Sequence, residues 1–215
     1  MSAPLQEWGV PAERAELAVL AVHGRGQDPA FMRDTSERFG QAPARFFAPE
    51  ADGNTWYPLS FLEPAERNEP ALGRSLQAME DALARIARAG FDARRVVLWG
   101  FSQGACLLSQ LILAAPRRVA GLVLFTGGYI GTEPPTPGER SLHDVPALVR
   151  SIEHDPWVPR GRVEATTGLL RGAGADVDSR IDPGEEHIIT DEACRSATEL
   201  FATTAARVSS GDGRG

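Results

Sequence analysis

The segment from residue 95 to residue 115 constrains the fold more than any other, because it joins an apolar strand to an apolar helix through a very short turn. Residues 95–99 are strand-forming, and the helical stretch after the turn ends before Pro116. The turn, residues 100–104, reads Gly-Phe-Ser-Gln-Gly. Small residues on both sides of Ser102 allow the strand and helix backbones to approach closely. The sequence therefore predicts a sharp strand–turn–helix unit with a serine at its bend.

A serine in this setting is suited to nucleophilic catalysis. The turn places its hydroxyl beyond the carboxyl end of the strand, beside helix amides that favour negative charge. The pattern G-x-S-x-G is short enough to arise by chance, and an ordinary helix-capping serine is the alternative. The flanking strand and helix favour the nucleophile elbow of an α/β-hydrolase, with Ser102 as nucleophile.

Strands alternate with helices along the rest of the chain. We predict strands at residues 17–22, 45–48, 95–99, 119–125, 147–152 and 175–181, and helices at residues 29–39, 71–89, after the turn to 115, 160–171 and 190–208. Most of these strands are apolar throughout, which is typical of a parallel sheet covered on both faces. The predicted fold is α/β: an α/β-hydrolase domain over residues 1–208, mostly parallel, with helices on both faces and no large cap domain. Residues 209–215 are expected to be a disordered tail.

A serine nucleophile needs a base, and the chain offers four histidines. Proteins with this elbow have the order serine, acid, histidine, which excludes His23. His187 follows the last predicted strand and precedes the last helix, so we predict it as the base. His143 is expected to be solvated on the surface, and His154 to pack in its loop.

The acid that orients the base is expected after the strand before the last one. Asp155 lies there, in a loop that Pro156 and Pro159 would stiffen. Glu153 is the nearest competitor. Asp144 precedes its strand and so falls at the opposite edge of the sheet. We predict Asp155 as the acid.

Two backbone amides are expected to bind the oxyanion of the tetrahedral intermediate. One is the amide of Gln103, directly after the nucleophile, and the other is that of Arg25, in the loop after the first central strand. His23 is expected to brace this loop. A phosphate-binding loop is the alternative for His-Gly-Arg-Gly, but the G-x-x-x-x-G-K-[ST] pattern is absent, and G-x-G-x-x-G fails at Pro29.

Four stretches together resemble the phospholipase/carboxylesterase family, which includes acyl-protein thioesterases and small bacterial carboxylesterases. They are His-Gly-Arg-Gly at 23–26, Gly-Phe-Ser-Gln-Gly-Ala at 100–105, Asp-Pro-Trp-Val-Pro at 155–159 and Gly-Glu-Glu-His at 184–187. The resemblance runs from about Leu17 to Phe201. It implies a hydrolase without a large lid that cleaves carboxylic esters or thioesters and uses no metal or cofactor. By position it implies Ser102, Asp155 and His187 as the triad, and the amides of Arg25 and Gln103 as the oxyanion hole.

Two departures from the thioesterases bear on the substrate. Arg25 stands where those enzymes tend to have an apolar residue, which argues against long fatty-acyl specificity. Residues 54–61 instead resemble small bacterial hydrolases related in shape to dienelactone hydrolases, whose nucleophile is a cysteine. The aromatic side chains Trp56, Tyr57 and Phe61 either pack their loop onto the core or line an acyl pocket. Trp157 is open to the same two interpretations.

Composition narrows the classes of binding partner that we expect for this chain. The net charge of -7 argues against nucleic acid and anionic membranes. The first eight residues lack the features of a signal peptide, and no apolar run approaches about 18 residues, so we expect a cytoplasmic protein without membrane insertion. Cys106 and Cys194 are expected to be buried thiols.

The expected partner is therefore a small-molecule ester or thioester. Homodimers are common in the family, although no apolar stripe in the sequence indicates an interface. The alternatives are an acyltransferase, a lactone hydrolase similar to dienelactone hydrolases, and a non-catalytic binding protein of the same fold.

Overall fold

Seven strands and five α-helices alternate along residues 5–138 and 141–211, which the computed structural model describes. The strands are β1 (Leu5–Gly9), β2 (Leu17–Val22), β3 (Ala44–Pro49), β4 (Val96–Phe101), β5 (Gly121–Phe125), β6 (Pro146–Ile152) and β7 (Asp176–Asp182). The helices are α1 (Pro29–Glu37), α2 (Ala71–Arg88), α3 (Gln103–Ala114), α4 (Arg160–Gly172) and α5 (Asp191–Ser210). Short 3₁₀ turns cover Asp52–Asn54, Ala65–Asn68 and Ala93–Arg95.

The strands form one sheet in the order β1-β3-β2-β4-β5-β6-β7. Strand β1 is antiparallel to β3, and every other neighbouring pair is parallel. The carboxyl ends of the parallel strands therefore meet at one edge of the sheet, and the loops that follow them lie side by side. The predicted fold class is confirmed.

Helices cover both faces of the sheet, because successive strand side chains point to opposite sides. On β4, Leu98 belongs to the core formed with α2, α3 and α4. Its neighbours Val97 and Trp99 belong to the second core, formed with α1 and α5. The central strands β2, β4 and β5 are buried on both sides, which explains why they are apolar throughout.

The edge strand β1 is not predicted from the sequence. Its outer positions are exposed, so its five residues lack the continuous apolar pattern of the central strands. Trp8 holds it in place by stacking on Phe46 at a ring-centroid distance of 5.3 Å and by donating its indole N–H to Ser36 Oγ at 2.9 Å. Both partners are far away in sequence, and local patterning does not show them.

The carboxyl-terminal boundary also differs from the prediction. Helix α5 continues through Ser210 and ends at Gly211, whose φ of 75° gives a left-handed cap. The predicted tail therefore begins too early, and its last residues, 212–215, lie outside the described residues. The other predicted boundaries differ from the observed ones by one or two residues.

Both cysteines are buried free thiols, as expected. In residues 5–138 and 141–211, no helix has both the length and the apolar character needed to cross a lipid bilayer.

Candidate active site

Ser102 lies at the bend between β4 and α3, and its backbone has φ 54° and ψ -120°. This left-handed φ is rare for a residue with a side chain and costs roughly 1–3 kcal/mol. The backbone is held there by the Ser102 amide, which donates to the Phe125 carbonyl at 2.9 Å. A Cβ on Gly100 would lie 2.6 Å from the Ala105 nitrogen, and one on Gly104 only 2.1 Å from a backbone oxygen. Glycine is therefore required on both sides of the serine.

His187 faces Ser102 from the loop between β7 and α5. Its Nε2 lies 2.8 Å from Ser102 Oγ, which is hydrogen-bonding distance. The imidazole packs on the Phe101 ring at a centroid distance of 4.9 Å. Thr190 ends the loop by capping α5, where its side chain accepts the Ala193 amide at 3.1 Å. The ring contact and the helix cap together hold the imidazole beside the serine.

Asp155 orients the imidazole from the loop after β6. Its Oδ2 lies 2.6 Å from His187 Nδ1, and its Oδ1 accepts the amides of Trp157 at 2.8 Å and Val158 at 2.9 Å. Burial opposes ionisation of this carboxyl group, but the bonds from His187 and the two amides outweigh it and hold the pKa of Asp155 below its ordinary value. Asp155 is therefore a carboxylate at neutral pH.

The hydrogen bonds fix the tautomer of His187. A carboxylate can only accept, so Nδ1 of His187 donates to Asp155. Nε2 is then an acceptor, and the Ser102 hydroxyl donates a hydrogen bond to it. The structure thus brings the three predicted residues together in one hydrogen-bonded chain, which is the arrangement that a nucleophile, its base and an orienting acid require.

The competing residues lie elsewhere. Glu153 pairs with Arg160 at 2.7 Å, and His154 is exposed. His143 pairs with Asp144 at 2.6 Å on the surface. In the described part of the chain, the side-chain hydrogen bonds of His187 go to Asp155 and Ser102 and not to any of these competitors.

His23 is fully buried under the loop that follows β2. Its Nε2 accepts the Ala51 amide at 3.1 Å, so its Nδ1 donates to the Gly24 carbonyl at 2.7 Å. Burial lowers the pKa of His23, and the imidazole stays neutral. The residue braces its loop from inside, as the sequence suggests.

The predicted oxyanion amides lie on the loop after β2 and at the start of α3. A Cβ on Gly24 would come within 3.0 Å of the Ser102 Cβ, so the loop touches the serine. Gln103 is the first residue of α3, where an amide has no partner within its helix. In the described residues, neither this amide nor that of Arg25 donates to a protein acceptor. Both are free for a ligand.

The four predicted pocket residues divide into two groups. Trp56, Tyr57 and Phe61 have exposed fractions of 3%, 1% and 8%, and all belong to the core on the α2 side of the sheet. Their placement fits the packing interpretation. Trp157 has an exposed fraction of 70% and lies at the surface, in the loop that carries Asp155.

A separate groove lies between residues 50–58 and α2. Its volume is about 1240 Å³, and its lining includes Trp56, Tyr57, Arg74 and Asp81 but none of the three triad positions. In the described residues, no group of three His, Cys, Asp or Glu side chains is arranged to hold a metal ion.

The chain matches the sequence profile of a known protein family and is similar to several of its members. The sequence profile of the phospholipase/carboxylesterase family matches residues 10–205. The acyl-protein thioesterase 1 of Schizosaccharomyces pombe is 25% identical over 163 residues, which are 69% of this chain and 73% of that protein. Among solved structures, a phospholipase/carboxylesterase from Dyadobacter fermentans is 31% identical with a TM-score of 0.86, over 94% of this chain and 97% of that one. A carboxylesterase from Mesorhizobium loti shares the fold, with a TM-score of 0.72 at 22% identity, over 93% and 94% of the two chains.

Proposed function

The chain belongs to the phospholipase/carboxylesterase family, and we propose that it is a serine hydrolase that cleaves carboxylic esters or thioesters through an acyl-enzyme on Ser102. Family membership supports an esterase- or thioesterase-type hydrolase. The observation that carries the proposal is the continuous hydrogen-bond chain from Asp155 through His187 to Ser102, with distances of 2.6 and 2.8 Å.

In the first step, Ser102 Oγ attacks the carbonyl carbon of the substrate. Its proton moves along the existing hydrogen bond to Nε2 of His187, and the electron pair of the carbonyl moves to oxygen. The imidazolium that results carries its second proton on Nδ1, where the Asp155 carboxylate stabilises it. The two amides that bind Oδ1 of Asp155 keep this carboxylate ionised and in position.

The oxyanion then lies at the N-terminus of α3. The amides of Gln103 and Arg25 donate to it, and they need no reorganisation because no protein group in the described residues occupies them. Collapse of the intermediate breaks the bond to the leaving group, which takes the proton from Nε2 of His187. Water next gives a proton to Nε2 of His187 and attacks the acyl carbon. The bond from that carbon to Ser102 Oγ then breaks, Oγ takes the proton back from His187, and the acid leaves, so the enzyme returns to its starting state.

Oxygen esters and thioesters undergo the same steps, because only the leaving atom differs. The thioesterase of S. pombe and the phospholipase/carboxylesterase of D. fermentans support both substrate classes. An acyltransferase would use the same residues with another acceptor in place of water, and analysis of products with and without added alcohols or thiols separates the two. A non-catalytic binding protein would fail to react with a fluorophosphonate probe.

The test is Ser102→Ala assayed with p-nitrophenyl esters of graded chain length. We expect the variant to fold normally and lose at least about 10³-fold in kcat, since triad members act as a unit. Ser109→Ala is the matched control, because Ser109 lies on α3, the helix that begins directly after Ser102, and its hydroxyl donates to the Ala105 carbonyl at 2.8 Å. Hydrolysis that persists in Ser102→Ala contradicts the proposal.

A further inference from the structure

The side chain of Arg25 binds the backbone of residues 57–59, which takes no part in the proposed catalytic steps. Its Nη1 donates to the Pro58 carbonyl at 2.9 Å, and its Nη2 donates to the carbonyls of Tyr57 at 2.9 Å and Leu59 at 2.8 Å. Three consecutive carbonyls thus surround one guanidinium. Arg25 is also the residue whose backbone amide is proposed to bind the oxyanion.

Gln103, which carries the other proposed amide, binds the same segment. Its Oε1 accepts the Trp56 amide at 2.9 Å, and its Nε2 donates to the Tyr57 carbonyl at 2.8 Å. The Tyr57 carbonyl therefore accepts from both Arg25 and Gln103. We call residues 51–59 the anchor segment.

The loop that carries Arg25 is tied to the anchor segment at two further points. The indole N–H of Trp56 donates to the His23 carbonyl at 2.8 Å. The Gly26 amide donates to the Asn54 carbonyl at 2.7 Å. Together with the Arg25 bonds, these contacts fasten the loop on both sides of the Arg25 amide.

The anchor segment is itself rigid. Trp56 and Tyr57 are buried in the core, and the Ser75 hydroxyl on α2 donates to the Trp56 carbonyl. Asn68 Oδ1 accepts the Leu59 amide at 2.8 Å. The segment can therefore serve as a fixed template for the two residues that bind it.

The Arg25 backbone needs such a template, because Gly24 and Gly26 flank it. Glycine leaves the chain free to adopt many conformations, and Gly26 has a φ of 73°. An oxyanion donor is effective only when its direction is fixed before the reaction. We propose that Arg25 is a positioning residue: its guanidinium, fastened to the carbonyls of residues 57–59, fixes the direction of its own amide toward the oxyanion.

This inference rests on the proposed serine hydrolase function, and it predicts an effect on catalysis without an effect on folding. The guanidinium lies at the surface, where water can replace it at the Pro58 and Leu59 carbonyls. Its loss should therefore change the melting temperature little. The cost should appear in the transition state, where the oxyanion forms.

The experiment compares Arg25→Leu and Arg25→Lys with the wild-type chain on a p-nitrophenyl ester. We expect Arg25→Leu to lower kcat by about 10- to 100-fold, less than the roughly 10²–10³ that deletion of an oxyanion donor costs. KM should stay within about threefold of wild type, since the ground-state contacts are unchanged. Inhibition by a trifluoromethyl ketone, whose adduct carries the oxyanion, should weaken by the same factor as kcat. Arg25→Lys should recover part of both losses.

Arg45→Leu is the matched control. Like Arg25, Arg45 donates to a backbone carbonyl, that of Val10, and it also pairs with Glu7, but it lies on β3, beside the edge strand β1. Its kcat should equal that of wild type. A wild-type kcat in Arg25→Leu, or a loss confined to KM, overturns the inference. If Ser102→Ala keeps its activity, the proposed function itself fails, whereas an inactive Ser102→Ala beside a fully active Arg25→Leu overturns only the role of Arg25.

Discussion

Replacing Asp155 by asparagine should invert the tautomer of His187 and leave the fold intact. Oδ1 of Asp155 accepts two amides, those of Trp157 and Val158, and only an oxygen can do so. The side-chain amide of the Asp155→Asn variant would therefore keep its oxygen at these two donors and turn its NH₂ toward His187. Facing a donor, Nδ1 of His187 must become the acceptor, and its proton moves to Nε2. The imidazole can then no longer accept the Ser102 proton.

The expected loss in kcat is about 10⁴-fold, the size known for this change in serine proteases. At about 1.4 kcal/mol for each factor of ten, this corresponds to roughly 5.5 kcal/mol of transition-state stabilisation. The melting temperature should change little, because both amide bonds survive. Steady-state kinetics and thermal unfolding of the same preparation measure the two effects.

Glu153→Gln is the matched control for this prediction. Glu153 is two residues away and carries the same charge, but its side chain pairs with Arg160 at 2.7 Å. Its kcat should remain within about threefold of wild type. The reasoning is refuted if Asp155→Asn stays within about tenfold of wild type at an unchanged melting temperature, or if Glu153→Gln is the variant that loses activity.

Two further predictions concern packing around the elbow. Gly104→Ala places a Cβ 2.1 Å from the Val22 carbonyl oxygen, so it should destabilise the fold in urea unfolding and abolish labelling of Ser102 by a fluorophosphonate probe. Gly168→Ala is the control: no atom lies within 4 Å of its Cβ, and it should stabilise α4 by about 0.5–1 kcal/mol. Equal effects of the two substitutions would contradict the close approach of β2 to α3 at Gly104. Burial raises the pKa of the Cys106 thiol to about 12, so the thiol stays protonated in mildly alkaline solution. We expect it to react with iodoacetamide only after unfolding, as mapped by mass spectrometry. Rapid alkylation of Cys106 in the native protein would refute its burial.

The three residues of the proposed triad could be picked out from the sequence because each follows a parallel strand. Ser102 comes after β4, Asp155 after β6 and His187 after β7, and a parallel sheet gathers these ends at one edge. Strands β4 and β6 are apolar enough to be located from local sequence, and β7 is marked by alternating exposed and half-buried positions. Topology then brings the side chains within hydrogen-bonding reach, without any information about distant pairs.

The anchor segment could not be predicted, because its contacts join residues that are far apart in sequence. Arg25 and Tyr57 are 32 positions apart, and Gln103 and Tyr57 are 46 apart. An aromatic residue in a loop also has the same local pattern whether it fills a core or lines a pocket. The sequence around Trp56 is therefore compatible with both, and its burial in the folded chain favours packing.

The most direct test of Ser102 as the nucleophile is to find the acyl group itself. The wild-type chain is mixed with a p-nitrophenyl ester, quenched in acid during turnover, digested and analysed by tandem mass spectrometry. We expect the acyl group on the peptide that spans the elbow, attached to Ser102, and no such adduct in Ser102→Ala. An acyl group on a different residue, or rapid hydrolysis with no adduct on Ser102 even when deacylation is slowed, would contradict the proposed mechanism.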